Sequence, residues 1–575
     1  MHVFKRIGAL LIIMSLAAGV WLGYRQVQPP ALSAGFEEQT ITLDQAAQGP
    51  DLNLMLSHVK EMASQVHSVD TDGIRHTQGY LVDQLTQMGY AVQEERYALS
   101  MEEILALERE RVDYRGKEFR STEESIRSYS GIGDKPHMVL TNLYVTLDAP
   151  DTDETVLFMA HTDSVTMGPG AFDDTVSVAA MMEALRLLRG RAPVRDLIFL
   201  FTDGEEQGLL GAAKFVQDHP ELKEKTKLVV NLEARGNRGA LLMFETTPNN
   251  LNMVRAYAGA AGTPVSISLA TAVYQTMQND TDLTRFMMEG YPGLNFAVIE
   301  GAEVYHTPDD DFEGFDRASA GHYLQTVTGL AQGFATEKDL TFATSEDGVF
   351  FPLLPGNLVI LPQGTANLVA YAAFGTFLVM LIWLLSRGKA RLGTVLGSFG
   401  VQLLSLAAAG GLSMLVTKWV LSAQGIEAYR DVLGYKGAHP VFLLMVAFFV
   451  LLTAALYWLL WRKAPAGPSI AMGALLLPAL LALATAFLFP SASYLFSLPV
   501  LAGLVVVLLN RWCRMRLLHA AFALLTLLLF VPIVHLVFVA LSFNMAYAAV
   551  AVAMIPAAVV AGILSLPWEQ KTQAL

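Results

Sequence analysis

The stretch TVLFMAHTDSVTMGPGAFD, residues 155–173, begins as an apolar run and ends in groups able to hold metal, His161, Asp163 and Asp173. An uninterrupted apolar run of this kind suits a strand buried inside a sheet. Its polar residues then arrive at the strand's C-terminal end, where open α/β sheets bind ligands. The glycines and proline of GPGA let the chain turn back sharply before Asp173.

Two neighbouring segments repeat the pattern. LIFLF leads to the adjacent pair Glu205 and Glu206, and LVVN leads to Glu233. Strands are expected over 90–97, 138–147, 156–161, 196–202 and 227–233, with helices over 72–88, 175–189 and 208–217. Residues 101–136 are charged and weakly patterned and read as an insertion. The fold class is α/β, a central mixed sheet flanked by helices. Five acid or imidazole groups converging on one sheet edge are hard to explain as solvated surface.

The full chain has 575 residues, 53% of them apolar, and a net charge of -14. Its mean hydropathy of +0.41 is too high for a purely soluble protein. The negative charge is concentrated before residue 350, which makes nucleic acid an unlikely partner. Cys513 is the single cysteine, so neither an intrachain disulfide nor a thiolate zinc site can form. Any metal must be held by His, Asp and Glu.

Residues 7–24 form an apolar run preceded by Lys5 and Arg6, read as an uncleaved anchor in preference to a signal peptide. Seven further spans are expected near 365–385, 394–416, 440–461, 469–488, 494–509, 517–541 and 545–566. Basic residues cluster in alternate loops, at Arg387, Lys389 and Arg391, at Arg462 and Lys463, and at Arg511, Arg514 and Arg516. Both termini are therefore expected in the cytoplasm and the polar body outside it. Trp383, Trp419, Trp458, Trp461 and Trp568 fit an interfacial belt. The spans contain no carboxylate, and His535 and Gln402 are their best polar candidates, so anchoring is expected rather than ion-coupled transport.

The ordered motifs HTDS, GPGAFDD, DGEEQGLLGA, NLE and YHTP resemble the dizinc aminopeptidase family that includes aminopeptidase Y and glutamate carboxypeptidase. The resemblance covers about residues 50–335, and the multispan tail is similar to that of the vacuolar or endoplasmic-reticulum membrane proteases. It implies two zinc ions, with His161, Asp173, Glu206, Glu233 and His306 as ligands and Asp173 bridging. Asp174 follows in the family's Asp-Asp turn. It further implies Glu205 as the general base for a metal-bridged hydroxide, and Asp163 as the acceptor that orients His161. Tyr305 could donate to the oxyanion or serve only in packing. Glu233 departs from the Asp common in soluble aminopeptidases, which leaves the exopeptidase preference open.

Arg235 could meet a substrate carboxylate or pair with a neighbouring acid, and Asp280 and Asp282 fall where the family has a polar pocket wall. The expectation is a peptidase, most simply an aminopeptidase, with peptides and the lipid bilayer as its partners. A glutaminyl cyclase and a non-catalytic binding ectodomain are the alternatives; the retained Asp173-Asp174 pair and complete ligand set weigh against both. The expected organisation is an anchor over 1–30, a zinc peptidase body over 31–350 and a multispan domain over 351–575. Without disulfides, and with its only sequon at Asn279, the chain reads as a bacterial inner-membrane protein whose body is periplasmic or extracellular.

Overall fold

A computed structural model describes residues 2–116, 121–130, 133, 135–150, 152–274, 279–464, 466–510 and 516–566. It divides into two compact units, one of Gln28–Gly348 with Gly356–Ile360, the other of Met1–Val27, Val349–Pro355 and Leu361–Leu575.

The first unit is built on seven strands: β1 (Gln93–Ser100), β2 (His137–Leu147), β3 (Thr155–His161), β4 (Asp196–Thr202), β5 (Thr226–Ala234), β6 (Leu242–Thr246) and β7 (Gly293–Val298). Their order is β1-β2-β4-β3-β5-β7-β6. The central strands β4, β3, β5 and β7 are parallel, and the outer ones pair antiparallel. Every residue of β3 is buried, as expected of a middle strand covered by helices on both faces.

After α1 (His2–Arg25), which belongs to the second unit, the helices of this unit are α2 (Leu52–Met62), α3 (Asp72–Gln87), α4 (Met101–Tyr114), α5 (Glu123–Ser130), α6 (Val176–Leu188) and α7 (Leu210–Asp218). They continue with α8 (Leu222–Lys225), α9 (Leu251–Ala260), α10 (Ser268–Tyr274), α11 (Asp282–Met288) and α12 (Arg317–Thr336). Helices α2, α6 and α12 pack together, as do α4, α7 and α11.

Two elements differ from the sequence expectation. β1 begins at Gln93 rather than Tyr90, because α3 ends through Gly89 at φ +91° and Tyr90 turns its hydroxyl onto the Leu185 carbonyl at 2.6 Å. The described residues of 101–136 form two helices, α4 and α5. α4 starts in a capping box between Ser100 and Glu103 and buries Met101, Ile104 and Leu107. Three buried apolar residues on a charged helix are too few to stand out as a period.

The chain then forms the ribbon strands β8 (Gly348–Leu354) and β9 (Asn357–Pro362). It continues through α13 (Gln363–Ser386), α14 (Leu392–Ala423), the short α15 (Tyr429–Leu433), α16 (Ala438–Lys463), α17 (Gly467–Leu488), α18 (Ser493–Leu509), α19 (Leu517–Leu541) and α20 (Ala546–Leu564). With α1, eight described helices are long and apolar enough to cross a membrane. Arg511, Cys513, Arg514 and Trp568 lie outside the described residues.

Small residues bring these helices together. A Cβ on Gly473 would meet the Val395 carbonyl at 2.3 Å, and one on Gly562 would meet the Ala474 Cβ at 2.3 Å. α1 lies along α19, where Gly19 faces Leu527 and Tyr24 sets its ring edge-on to His535 at 5.1 Å. Gln402 is fully buried, and neither of its amide atoms has a partner among the described residues.

Replacing Gly562 by Leu should therefore destabilise the helical unit by about 1–3 kcal/mol through overpacking. The measurement is the thermal midpoint of the detergent-solubilised chain; an unchanged midpoint would mean that α17 and α20 do not meet this closely.

Candidate metal centre

β3 and β4 end in register, with His161 opposite Thr202, and β5 ends two strands from β4 with Glu233. The chain following each strand folds over the same edge. His161 donates from Nδ1 to the Asp163 carbonyl at 2.8 Å, which turns Nε2 toward the acids. The Asp163 carboxylate, expected to take that N–H, stands 3.6 Å from it. It accepts instead the backbone amides of Glu205 at 3.0 Å and Glu206 at 3.2 Å. Asp163 thus clamps the acidic pair while its own carbonyl orients the imidazole.

Asp173 occupies the middle. Its Oδ1 lies 3.3 Å from His161 Nε2 and its Oδ2 lies 3.4 Å from His306 Nε2. On the first side, Glu233 Oε2 is 3.8 Å from His161 Nε2; on the second, Glu206 Oε2 is 3.1 Å from His306 Nε2. The five side chains expected as ligands are thereby brought into two triads sharing Asp173, each with its ligand atoms within 4.8 Å of one another. A third such group joins His161, Glu205 and Glu206.

The turn that presents Asp173 depends on close backbone contacts. Gly170 is left-handed at φ +59°, and a Cβ there would lie 2.4 Å from the Asp173 carbonyl. A Cβ on Gly168 would lie 2.2 Å from the carbonyl of Thr307, the residue after His306. His306 itself sits at φ +57°, a conformation costly for a side-chain-bearing residue and concentrated at functional sites. The Asp173-Asp174 peptide is cis. Asp174 accepts the His161 amide at 3.3 Å and the Ser177 hydroxyl.

Several supporting residues were not singled out from the sequence. Asp310 accepts the amides of Phe172 at 3.0 Å and Asp173 at 3.2 Å, tying the His306 loop to the bridging turn. Its only signal was the acid run after YHTP. Tyr323 donates to the Glu233 carbonyl at 2.5 Å and accepts the Val298 amide at 3.2 Å. The buried Arg285 reaches both the Leu107 carbonyl of α4 and the Gly208 carbonyl beside the acidic pair, at 2.9 and 2.8 Å.

The expected wall residues are engaged internally. Asp280 is paired with Arg111 of α4 and, at 2.5 Å, with Arg115, which caps the end of that helix; Asp282 accepts the Thr202 hydroxyl at 2.5 Å. Arg235 is half-buried just past β5, and its side chain has no hydrogen bond or ion pair among the described residues. Tyr305 stacks on His306 with ring centroids 3.7 Å apart.

The electrostatics of this cluster favour a bound cation. Burial raises Glu206 to about 7, with Asp173 adding to the rise and the imidazoles opposing it. Burial likewise lifts Glu205 and Glu233 well above the carboxylate range, with their acidic neighbours adding to it against the pull of His161. Burial would lift Asp173 too, but His161 and His306 hold it down at about 2. Burial alone would lower His161, yet Asp163, Asp173, Glu233 and Glu205 hold it well above its usual value. His161 Nε2, Glu206 Oε1 and Glu233 Oε1 are buried with no hydrogen-bond partner among the described residues. Zinc bonds of about 2.0 Å place tetrahedral ligands about 3.3 Å apart, close to the separations here. The donor set fits two divalent cations.

Residues 142–331, from within β2 into α12, match the model of peptidase family M28. The chain is 32% identical to human endoplasmic reticulum metallopeptidase 1 over 40% of its own length and 26% of that protein's. It is 30% identical to a vacuolar membrane protease of Candida albicans over 37% and 25%, respectively. It thus spans about a quarter of the length of these curated relatives. Among solved structures, an aminopeptidase from Aneurinibacillus sp. strain AM-1 aligns with 52% of the chain and 97% of its own, at 14% identity and a TM-score of 0.40.

Chelation should expose the electrostatic cost. An acid whose folded pKa is raised holds its proton longer when folded, so stability falls as pH rises from the unfolded value toward the folded one. For Glu206 that window runs from 4.5 to about 7. The fall in thermal midpoint on adding chelator should accordingly be larger at pH 8 than at pH 6, because protons substitute for metal at the lower pH. An equal fall at both would contradict this balance.

Proposed function

We propose that this protein is a membrane-anchored dizinc metallopeptidase that removes residues from the amino end of peptides. The observation carrying the reading is Asp173, whose two oxygens face separate imidazoles. His161 and Glu233 would hold one zinc, Glu206 and His306 the other, and Asp173 both. Bound there, zinc supplies Lewis-acid polarisation of the scissile carbonyl and acidifies the attacking water.

Glu205 is the residue left over for proton transfer. Its amide is held by Asp163 and its carboxyl lies with those of the ligand cluster, raised by burial toward the range useful to a general base. It takes the proton from water onto a carboxylate oxygen and delivers it to the departing amine. Tyr305, half-buried and stacked on His306, feels the charge of Asp173, Glu206, Glu205 and Glu233, and its neutral hydroxyl is the proposed oxyanion donor. Arg235 remains for a substrate carboxylate.

The helical unit is read as anchor and scaffold, with α1 retained against α19. The basic residues following α13 and in the last turn of α16 support cytoplasmic termini and a peptidase body on the lumenal or periplasmic side.

Glu205→Gln should keep zinc binding and lower turnover by about 10²–10⁴-fold. Near-normal turnover would remove Glu205 from the mechanism. A peptide library with free and blocked amino ends tests the exopeptidase reading, which predicts cleavage of free-ended peptides alone. Internal cleavage of blocked peptides would overturn it, and cyclisation of amino-terminal glutamine with ammonia release would identify a cyclase instead.

A further inference from the structure

The helical unit carries a second feature that the peptidase reading does not use. Along its outer face, α13 and the end of α18 form an open groove of about 570 Å³ lined by Ala372, Gly375, Thr376, Val379, Met380, Trp383 and Leu508. The small residues of α13 create the concavity. Thr376 is the lining's hydroxyl-bearing residue, and it donates to the Ala372 carbonyl at 2.6 Å. The groove therefore offers hydrocarbon to whatever lies in it.

The groove also has a direction. From Ala372 to Trp383 the helix rises about 16 Å, roughly one leaflet of a hydrocarbon core about 30 Å thick. At the Trp383 end, the Lys389 ammonium sits over the indole ring at 5.0 Å from its centroid. Arg387, Lys389 and Arg391 are all exposed in the turn between α13 and α14. None of them meets a carboxylate among the described residues. The sequence from Val349 to Ile426 contains no Asp or Glu, so no acid of this segment can neutralise them. An interfacial tryptophan and an unneutralised cationic turn at the mouth of an apolar trough match a ligand with an anionic head and an aliphatic tail.

We propose that this groove binds one anionic phospholipid, with an acyl chain along Ala372–Trp383 and the phosphate on the Arg387, Lys389 and Arg391 turn. The tail supplies affinity for the trough and the cations select the headgroup. Each part is insufficient alone: the trough would accept any lipid, and the exposed cations would hold a small anion only weakly against salt.

The test is native mass spectrometry of the full chain in detergent, titrated with phosphatidylglycerol or with phosphatidylcholine of the same acyl chains. The expected result is a single retained phosphatidylglycerol, bound about tenfold or more tightly than phosphatidylcholine. Arg387→Gln, Lys389→Gln and Arg391→Gln together should erase that preference. Gly375→Phe should abolish retention of both lipids; an added Cβ at Gly375 meets nothing within 4 Å, so the helices need not move. Glycerol phosphate, the head without a tail, should not be retained. Equal retention of the two lipids, retention unaffected by Gly375→Phe, or retention of glycerol phosphate would each overturn the proposal.

Discussion

The site depends on one buried carboxylate placed between two imidazoles. Asp173 cannot hold this position by its own strand, because it follows the strand by a dozen residues of loop. It is held instead by Gly170 beneath it, by Asp310 accepting the amides on either side of Phe172, and by the contact of Gly168 with Thr307. The same contacts fix His306, so the bridging acid and the second imidazole are positioned by one assembly. A substitution at Gly168 would disturb both although it supplies no ligand.

This arrangement explains which parts were legible in the sequence. His161, Glu205 and Glu233 follow apolar runs whose burial dictates strand formation, and strands that are parallel neighbours must deliver their ends to the same edge. The supporting shell carries no such local signal. Asp310 acts on a residue 137 positions away, and nothing near it marks it apart from Asp309 and Asp311. Tyr323 looks like any core aromatic on a helix, and only its hydroxyl's two partners reveal that it holds β5 against β7. Residues 101–136 were illegible for another reason, since α4 spends its charged face on specific partners.

Those partners change the meaning of the insertion. Arg111 lies on α4 and Arg115 caps its end, yet they neutralise Asp280 of the loop before α11, and Arg285 joins α4 to Gly208 at the acidic pair. A buried guanidinium bound to two carbonyls that face different elements acts as a strut, because losing either bond would leave a charge in a low-dielectric interior without compensation. The segment that read as an insertion is therefore wired into the loop carrying Glu205 and Glu206.

The two halves of the centre are not equivalent. The His161 side chain is 1% exposed and that of His306 is 33% exposed. His161 sits at the end of a central strand, whereas His306 sits in a loop in a left-handed conformation, backed by Tyr305. A reacting group can approach only where solvent can, so in the proposed mechanism the peptide enters over His306 and Tyr305. The His161 and Glu233 side then works as the closed wall of the site. This asymmetry also places the one candidate oxyanion donor on the side from which the carbonyl must arrive, which gives Tyr305 a reason to be there beyond packing.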